Sequence, residues 1–483
     1  MSFTSFSFLI FYCVFFALYW FIFNKNFKLQ NLLLLVGSYF FYAWFNWHLL
    51  FILILISGLN FLLGIYIEKS PQDKFKKSLL AIGLIQGIGG LFFYKYFDFF
   101  VVSFNHLFTS LQIHWKFKTL NWIAPIGISF FTFKTISYLL DVSKGKIKAC
   151  KNWVDFFIYV AFFPTILSGP IDKAKTFLPQ LEKPRIFNYD FATDGVRQIV
   201  WGLFKKSVIA DNCAAITDKI FDGGYAHYPA STLLMGAILY SFQLYTDFSG
   251  YSDMAIGIGR LLGFNVTKNF DYPFFSQNIA EFWRKWHISL TAWLTEYVFT
   301  PLSITFRNWG DYGLMLAIIL NFSLIGIWHG ANWTYLLFGF LHGCYYIPLI
   351  IKGTMNKKKK IANGKLFPSL KELINVLLNF FLVTVTFILF RSNSIHDALM
   401  YYKGFFSTSL FIRPPYDFYA ALMSFFFIAI MLIFEWFGRY KDFAISQSTI
   451  KWPQTIRWSL YIALIICIVV FGADTQQFVY IKF

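Results

Sequence analysis

A histidine, His329, sits in the middle of an apolar stretch at residues 325–343, between Trp328 and Gly330. An ionisable side chain at membrane depth is costly to keep there, so its presence marks a candidate functional site. Imidazole is also the side chain best suited to exchange protons near neutral pH. If the stretch is helical, Asn332 and Trp333 follow three and four residues on and share its face. Gly326 and Gly330 leave room there for a second helix or a ligand. Interhelical hydrogen bonding offers a purely structural account of the same histidine. His342 lies 13 residues further on, about 220° around an ideal helix, and reads as a packing residue.

A second histidine stands in an amphipathic pattern. Between residues 281 and 299, Phe282, Trp286, Leu290, Trp293, Leu294 and Tyr297 recur at helical spacing and build one apolar face. Arg284, His287, Thr291 and Thr295 form a polar stripe beside it. The spacing predicts a helix lying at the interface or lining a cavity, with His287 on its polar side. Asp247 and Asp253 fall inside another apolar region, around Gly250. They line a substrate path or, as the simpler reading, cap and bridge helices at a break. Lys205 and Lys206 follow a span-like stretch and either meet the phosphates of a nucleotide-like cofactor or snorkel to lipid headgroups.

These residues need a membrane scaffold. Of 483 residues, 57% are hydrophobic and only 14% charged, against about 25% charged in a soluble domain. Apolar runs near the roughly 20 residues needed to cross a bilayer repeat from end to end. The fold expected is an all-α polytopic membrane protein, one domain over residues 1–483, with about 11 crossings. The runs fall near 5–23, 29–45, 48–67, 79–97, 121–141, 153–170, 195–216, 230–262, 311–328, 331–351, 371–391, 417–437 and 456–472. Pro125, Pro164 and Pro170, with neighbouring glycines, predict broken or re-entrant helices around a cavity. The first run has no basic segment before it and reads as a retained span rather than a removed signal.

The formal charge of +18 is parcelled into short loops such as 25–28, 68–77, 144–151 and 357–360. That is the positive-inside pattern, with phosphate-rich ligands or anionic lipid as a secondary reading and nucleic acid excluded for want of a module. Trp44 and Trp47 then belong to an outer aromatic belt. The five cysteines have neither metal-ligand nor redox spacing. No phosphate cradle, nucleophile elbow or paired-carboxylate motif is present. From residues alone, an enzyme doing proton chemistry and a proton-coupled transporter both remain open.

An ordered set of motifs narrows this. In sequence come Pro125-Ile-Gly-Ile-Ser-Phe-Phe-Thr-Phe with Ile136-Ser-Tyr, Phe163-Pro-Thr-Ile-Leu-Ser-Gly-Pro-Ile, Gly202-Leu-Phe-Lys-Lys and Asp247-Phe-Ser-Gly-Tyr-Ser-Asp-Met-Ala-Ile-Gly. Phe282-Trp-Arg-Lys-Trp-His-Ile-Ser-Leu, Trp328-His-Gly-Ala-Asn-Trp and Phe390-Arg-Ser follow. Together these resemble the membrane-bound O-acyltransferase family, in its bacterial branch that acetylates exported polysaccharides. The resemblance implies a bacterial inner-membrane enzyme with a central tunnel, His329 as catalytic histidine and His287 as the second polar position. Trp328, Asp247, Asp253, Arg284 and Asn332 would line the path, and Lys205 and Lys206 would meet the cofactor. Acetyl-CoA would be the donor, with no metal. His329 would serve as general base or carry a transient acyl group, while His287 would orient or polarise. A periplasmic or membrane-anchored hydrolase-like transferase would be the partner. Peptidoglycan is the first expected acceptor and an alginate-like polymer the second. Teichoic-acid D-alanylation from a carrier protein, or a non-catalytic transporter or scaffold, are the alternatives.

Overall fold

The computed structural model describes residues 1–222, 227–405, 407–414, 418–446, 452–474 and 476. Among them every regular element is helical. Seven helices are long and apolar enough to span a bilayer: Trp47–Lys69, Asp73–Ser110, Arg307–His329, Trp333–Ile351, Leu370–Arg391, Tyr419–Gly438 and Gln454–Phe471. Phe6–Ile22 is a shorter apolar helix. The count differs from 11 because several apolar runs fold as helices too short or too interrupted to cross a bilayer by length alone. The run at 153–170 is helical only over Trp153–Ala161, and Phe27–Ala43 has 17 residues.

The chain packs as two compact units. The first comprises Met1–Thr193 with Ile258–Thr267. Its centre shows why the proline-rich stretch can leave the helix. Gly127 takes a left-handed conformation at φ 76° and starts the helix Ile128–Ser143. A side chain there would collide with the carbonyl of Ile166. The non-helical segment beyond Phe162 is buried, and side chains from neighbouring elements meet several of its polar groups, as an apolar environment favours. The amide of Phe163 donates to Ser38 Oγ at 3.2 Å, and Lys134 Nζ donates to Thr165 Oγ1 at 3.0 Å. Asp172 accepts from both the amide and the hydroxyl of Thr267. Nearby, Arg185 donates to Asn31 Oδ1 at 2.6 Å while its guanidinium lies over Tyr19 and Phe264.

The second unit comprises Asp194–Gly257 and Lys268–Phe483. The sequence suggested a break at Gly250, but Ala230–Leu261 runs unbroken through it. Gly250 serves close packing instead. A Cβ on Gly202 would stand 2.5 Å from the carbonyl of Gly250, and one on Gly257 2.5 Å from that of Gly195. Four glycines on two helices thus let their backbones touch, the small-residue crossing that membranes favour. A second crossing joins Gly310–His329 to Trp333–Cys344, where Gly326 meets the carbonyl of Tyr335 and Gly339 that of Phe322. The helix Leu370–Arg391 starts in a capping box of Ser369 and Glu372.

Replacing Gly202 by leucine must force the two backbones apart. Over-packing of this kind costs roughly 1–3 kcal/mol. The expected outcome is a lower thermal midpoint in a fluorescence-detected unfolding assay of the detergent-solubilised protein, with Gly89→Ala, a helical position in open space, as the comparison.

Candidate functional site

The amphipathic stretch around His287 is not one helix. It is helical over Ile279–Lys285 and again over Ile288–Leu294, with Trp286 extended and His287 left-handed between them at φ 46° and ψ 51°. A non-glycine residue there carries about 1–2 kcal/mol of strain, a cost that clusters at functional positions. The break removes the expected polar stripe. His287 is fully buried, whereas Arg284 turns to a different environment.

What holds the break is the segment around Asn269. The amide of Ile288 donates to the Asn269 carbonyl at 2.8 Å, and that of Asp271 to the Lys285 carbonyl at 2.9 Å. The Asn269 side chain adds three contacts through Oδ1: the Ser289 hydroxyl at 2.8 Å, the Ser289 amide at 3.3 Å and His287 Nδ1 at 3.1 Å. Burial pushes the His287 pKa down to about 3, so the imidazole is neutral.

His329 ends its helix, with Gly330 extended beyond it. It is 3% exposed. A row of rings connects the two histidines. Phe248 meets His287 edge-on at 4.7 Å between centroids, and His287 meets the indole of Trp328 at 5.7 Å. Trp328 meets His329 at 5.0 Å, and His329 meets Phe390 at 5.0 Å. Both imidazoles therefore flank one indole in a buried apolar wall. Such a setting excludes water and strengthens any polar interaction made within it.

Other expected positions fall elsewhere. Asn332 does not share a helical face with His329, because the helix stops first. Instead it caps the next helix, accepting from the Thr334 amide and donating to the Asn393 carbonyl. His342 has both ring nitrogens engaged, by Trp283 Nε1 at 3.2 Å and Thr386 Oγ1 at 3.1 Å. Lys205 and Lys206 do not present free charges to a phosphate. They are 3% and 5% exposed and pair with the very aspartates singled out above. Lys205 meets Asp253 at 2.5 Å, and Lys206 meets Asp247 and Asp211, each at 2.7 Å. Around Lys205 lies a small polar cavity lined by Gln198, Asp253, Asn269, Tyr272 and Glu435. It places the ion cluster beside the residue that holds His287.

Arg284 lines a cleft of about 300 Å³ with Lys285, Lys358, Lys359, Lys360 and Arg439. Among the described residues Asp271 and Glu281 are its only carboxylates, so the cleft is strongly basic. Arg284 is fixed there by donating to the carbonyls of Met355 and Lys357. The lysine run was visible in the sequence, but its convergence with Arg284 and Arg439 was not. Asn269 was missed as well, because no spacing rule links it to a histidine 18 positions away.

The model of the membrane-bound O-acyltransferase family matches residues 2–351, which hold both histidines, Trp328 and Asn269. The chain belongs to that family. Among curated relatives, a probable alginate O-acetylase of Pseudomonas aeruginosa is 35% identical over 84% of this chain and 75% of its own length. A peptidoglycan O-acetyltransferase of Helicobacter pylori is 33% identical over 79% of this chain and 74% of its own. A teichoic acid D-alanyltransferase of Streptococcus thermophilus is 31% identical over 55% of this chain and 68% of its own. The protein is therefore a multi-pass bacterial membrane acyltransferase, as its motif order implied.

Removing one buried charge of the lysine cluster tests how this acyltransferase is held together. Lys206→Met leaves Asp211 and Asp247 facing each other without their cation, which should cost about 3–5 kcal/mol. The readout is the thermal midpoint of the purified protein, expected to fall steeply or to leave no folded protein to isolate.

Proposed function

We propose that this enzyme takes an acetyl group from cytoplasmic acetyl-CoA and delivers it for O-acetylation of an exported or cell-envelope polysaccharide. The observation that carries the reading is the pair of buried histidines flanking Trp328 within the family-matched region. Relatives named for alginate and for peptidoglycan share a polymeric carbohydrate acceptor, which supports that substrate class. A hydrolase-like transferase on the far side of the membrane is the partner that would place the acetyl group on the polymer.

In the reaction, His329 takes the proton of the attacking hydroxyl as a new C–O bond forms at the acetyl carbon. The thioester C–S bond breaks, and the departing thiolate takes up a proton to leave as thiol. The aromatic wall around both imidazoles keeps water from competing as nucleophile. The basic cleft of Arg284, Lys358, Lys359, Lys360 and Arg439 suits the phosphates of the donor and lies where the positive-inside pattern puts the cytoplasm.

His329→Ala should reduce polysaccharide O-acetyl content to the level of a strain lacking the protein, while the variant still inserts at normal abundance. Wild-type acetylation by that variant would sink the catalytic reading. Replacing Lys358, Lys359 and Lys360 together by alanine removes three exposed charges. At roughly 0.5 kcal/mol each, KM for acetyl-CoA should rise about tenfold with kcat little changed.

A further inference from the structure

The Asn269 side chain contacts four polar groups, and their chemistry fixes which way it faces. The backbone amide of Ser289 can only donate, and it meets Oδ1 at 3.3 Å. The Ser289 hydroxyl meets the same oxygen at 2.8 Å. On the other side, Nδ2 donates to Ser252 Oγ at 3.2 Å. Exchanging the amide's oxygen and nitrogen would set two N–H groups against each other, so Oδ1 must face Ser289. That same Oδ1 stands 3.1 Å from His287 Nδ1. An amide oxygen has no proton to give, so the imidazole donates from Nδ1. In a neutral ring the other nitrogen, Nε2, then carries a lone pair.

We propose that Asn269 is a positioning residue: it locks His287 as the Nδ1–H tautomer, so that Nε2 accepts a hydrogen bond from the attacking hydroxyl and does not donate one to a developing oxyanion. The inference rests on the acyl-transfer reading and deepens it. Of the orienting and polarising roles left open for His287, it selects the orienting one, leaving His329 to take the proton. Three features agree with it. Burial keeps the His287 ring neutral, with a pKa lowered to about 3, which leaves only one ring proton to place. The left-handed backbone at His287 is clamped by Asn269 a second time, through its carbonyl and the Ile288 amide. Asn269 is itself fully buried and anchored to Ser252 on the long Ala230–Leu261 helix, so the acceptor cannot drift.

The charged and titratable groups on surrounding elements include Glu281, Arg284 and Lys285 on its own segment, Lys268 and Asp271 on the segment paired with it, Asp247 and Asp253 on the long helix with Lys205 against them, and His329; Arg284 is tied to the carbonyls of Met355 and Lys357. The cations are matched: Lys285 to Glu281 at 2.7 Å, Lys268 to Asp271 at 2.6 Å and Lys205 to Asp253 at 2.5 Å. A carboxylate placed at residue 269 would therefore be the new charge felt by the ring. It favours imidazolium and raises the His287 pKa, by about one to three units for a close opposite charge. Because protonated His287 has no lone pair on Nε2, activity is lost as pH falls through that raised value.

The experiment uses the full-length protein in detergent, acetyl-CoA as donor and thiol release as readout from about pH 3.5 to 9, folded state checked at each pH. Asn269→Asp should keep activity at high pH and move its acid limb upward by one unit or more. Asn269→Leu should lower kcat roughly tenfold to a hundredfold at every pH. An unmoved acid limb in a folded, active Asn269→Asp protein, or a near-normal rate in Asn269→Leu, overturns the proposal. Nitrogen NMR of 15N-histidine-labelled wild-type protein, with His287→Gln used to assign the signal, needs no folded Asn269 variant. A proton on Nδ1 supports the assignment and a proton on Nε2 overturns it. Wild-type protein that releases no thiol would instead contradict the acyl-transfer reading, leaving the tautomer measurement to decide the inference separately.

Discussion

Every polar side chain carried inside this apolar chain has to find its partner within the protein, and that requirement organises the second unit. Close glycine crossings come first, because backbones in contact bring short side chains within reach of one another. The contact of Gly195 and Gly202 with Gly257 and Gly250 sets Lys205 and Lys206 opposite Asp253 and Asp247. Without that approach, two ammonium groups and their carboxylates would stand desolvated and uncompensated. The same long helix carries Ser252, which anchors Asn269, and Phe248, which packs on His287. The ion cluster and the histidine site are thus built on one helix.

The site itself combines strain with support. His287 occupies a backbone conformation that its side chain disfavours, and the Asn269 segment zips against it on both sides of the break. Trp328 separates His287 from His329 by a single indole, so the two imidazoles share one dry wall while each belongs to a different element. A basic cleft collects the lysine run with Arg284 and Arg439. The proposed acyl transfer from a phosphate-bearing thioester would use the apolar enclosure for its proton chemistry and the basic cleft for its anionic donor.

Much of this was legible in the sequence. The helical membrane class followed from apolar run length, and His329 and His287 stood out because imidazoles are rare in such surroundings. Motif order identified the family. The break at Trp286 and His287 was hidden because the apolar spacing of Phe282, Trp286 and Leu290 continues across it, as an unbroken helix would. The pairing of Lys205 with Asp253 and of Lys206 with Asp247 was hidden because those carboxylates lie more than 40 positions away, brought near only by the glycine crossing. Asn332 misled for a related reason: Gly330 ends the helix and converts a residue on the histidine's face into a cap.

The central claim is that His329 drives transfer of an acetyl group from CoA. Purified protein should be incubated with acetyl-CoA labelled on its acetyl group, alongside His329→Ala, while free thiol and the label's destination are followed. The account predicts thiol release by the wild-type protein, with label passing to water or an added hydroxyl acceptor, and loss of both in the variant. Equal release by a folded His329→Ala protein, or none by folded wild type, would contradict it.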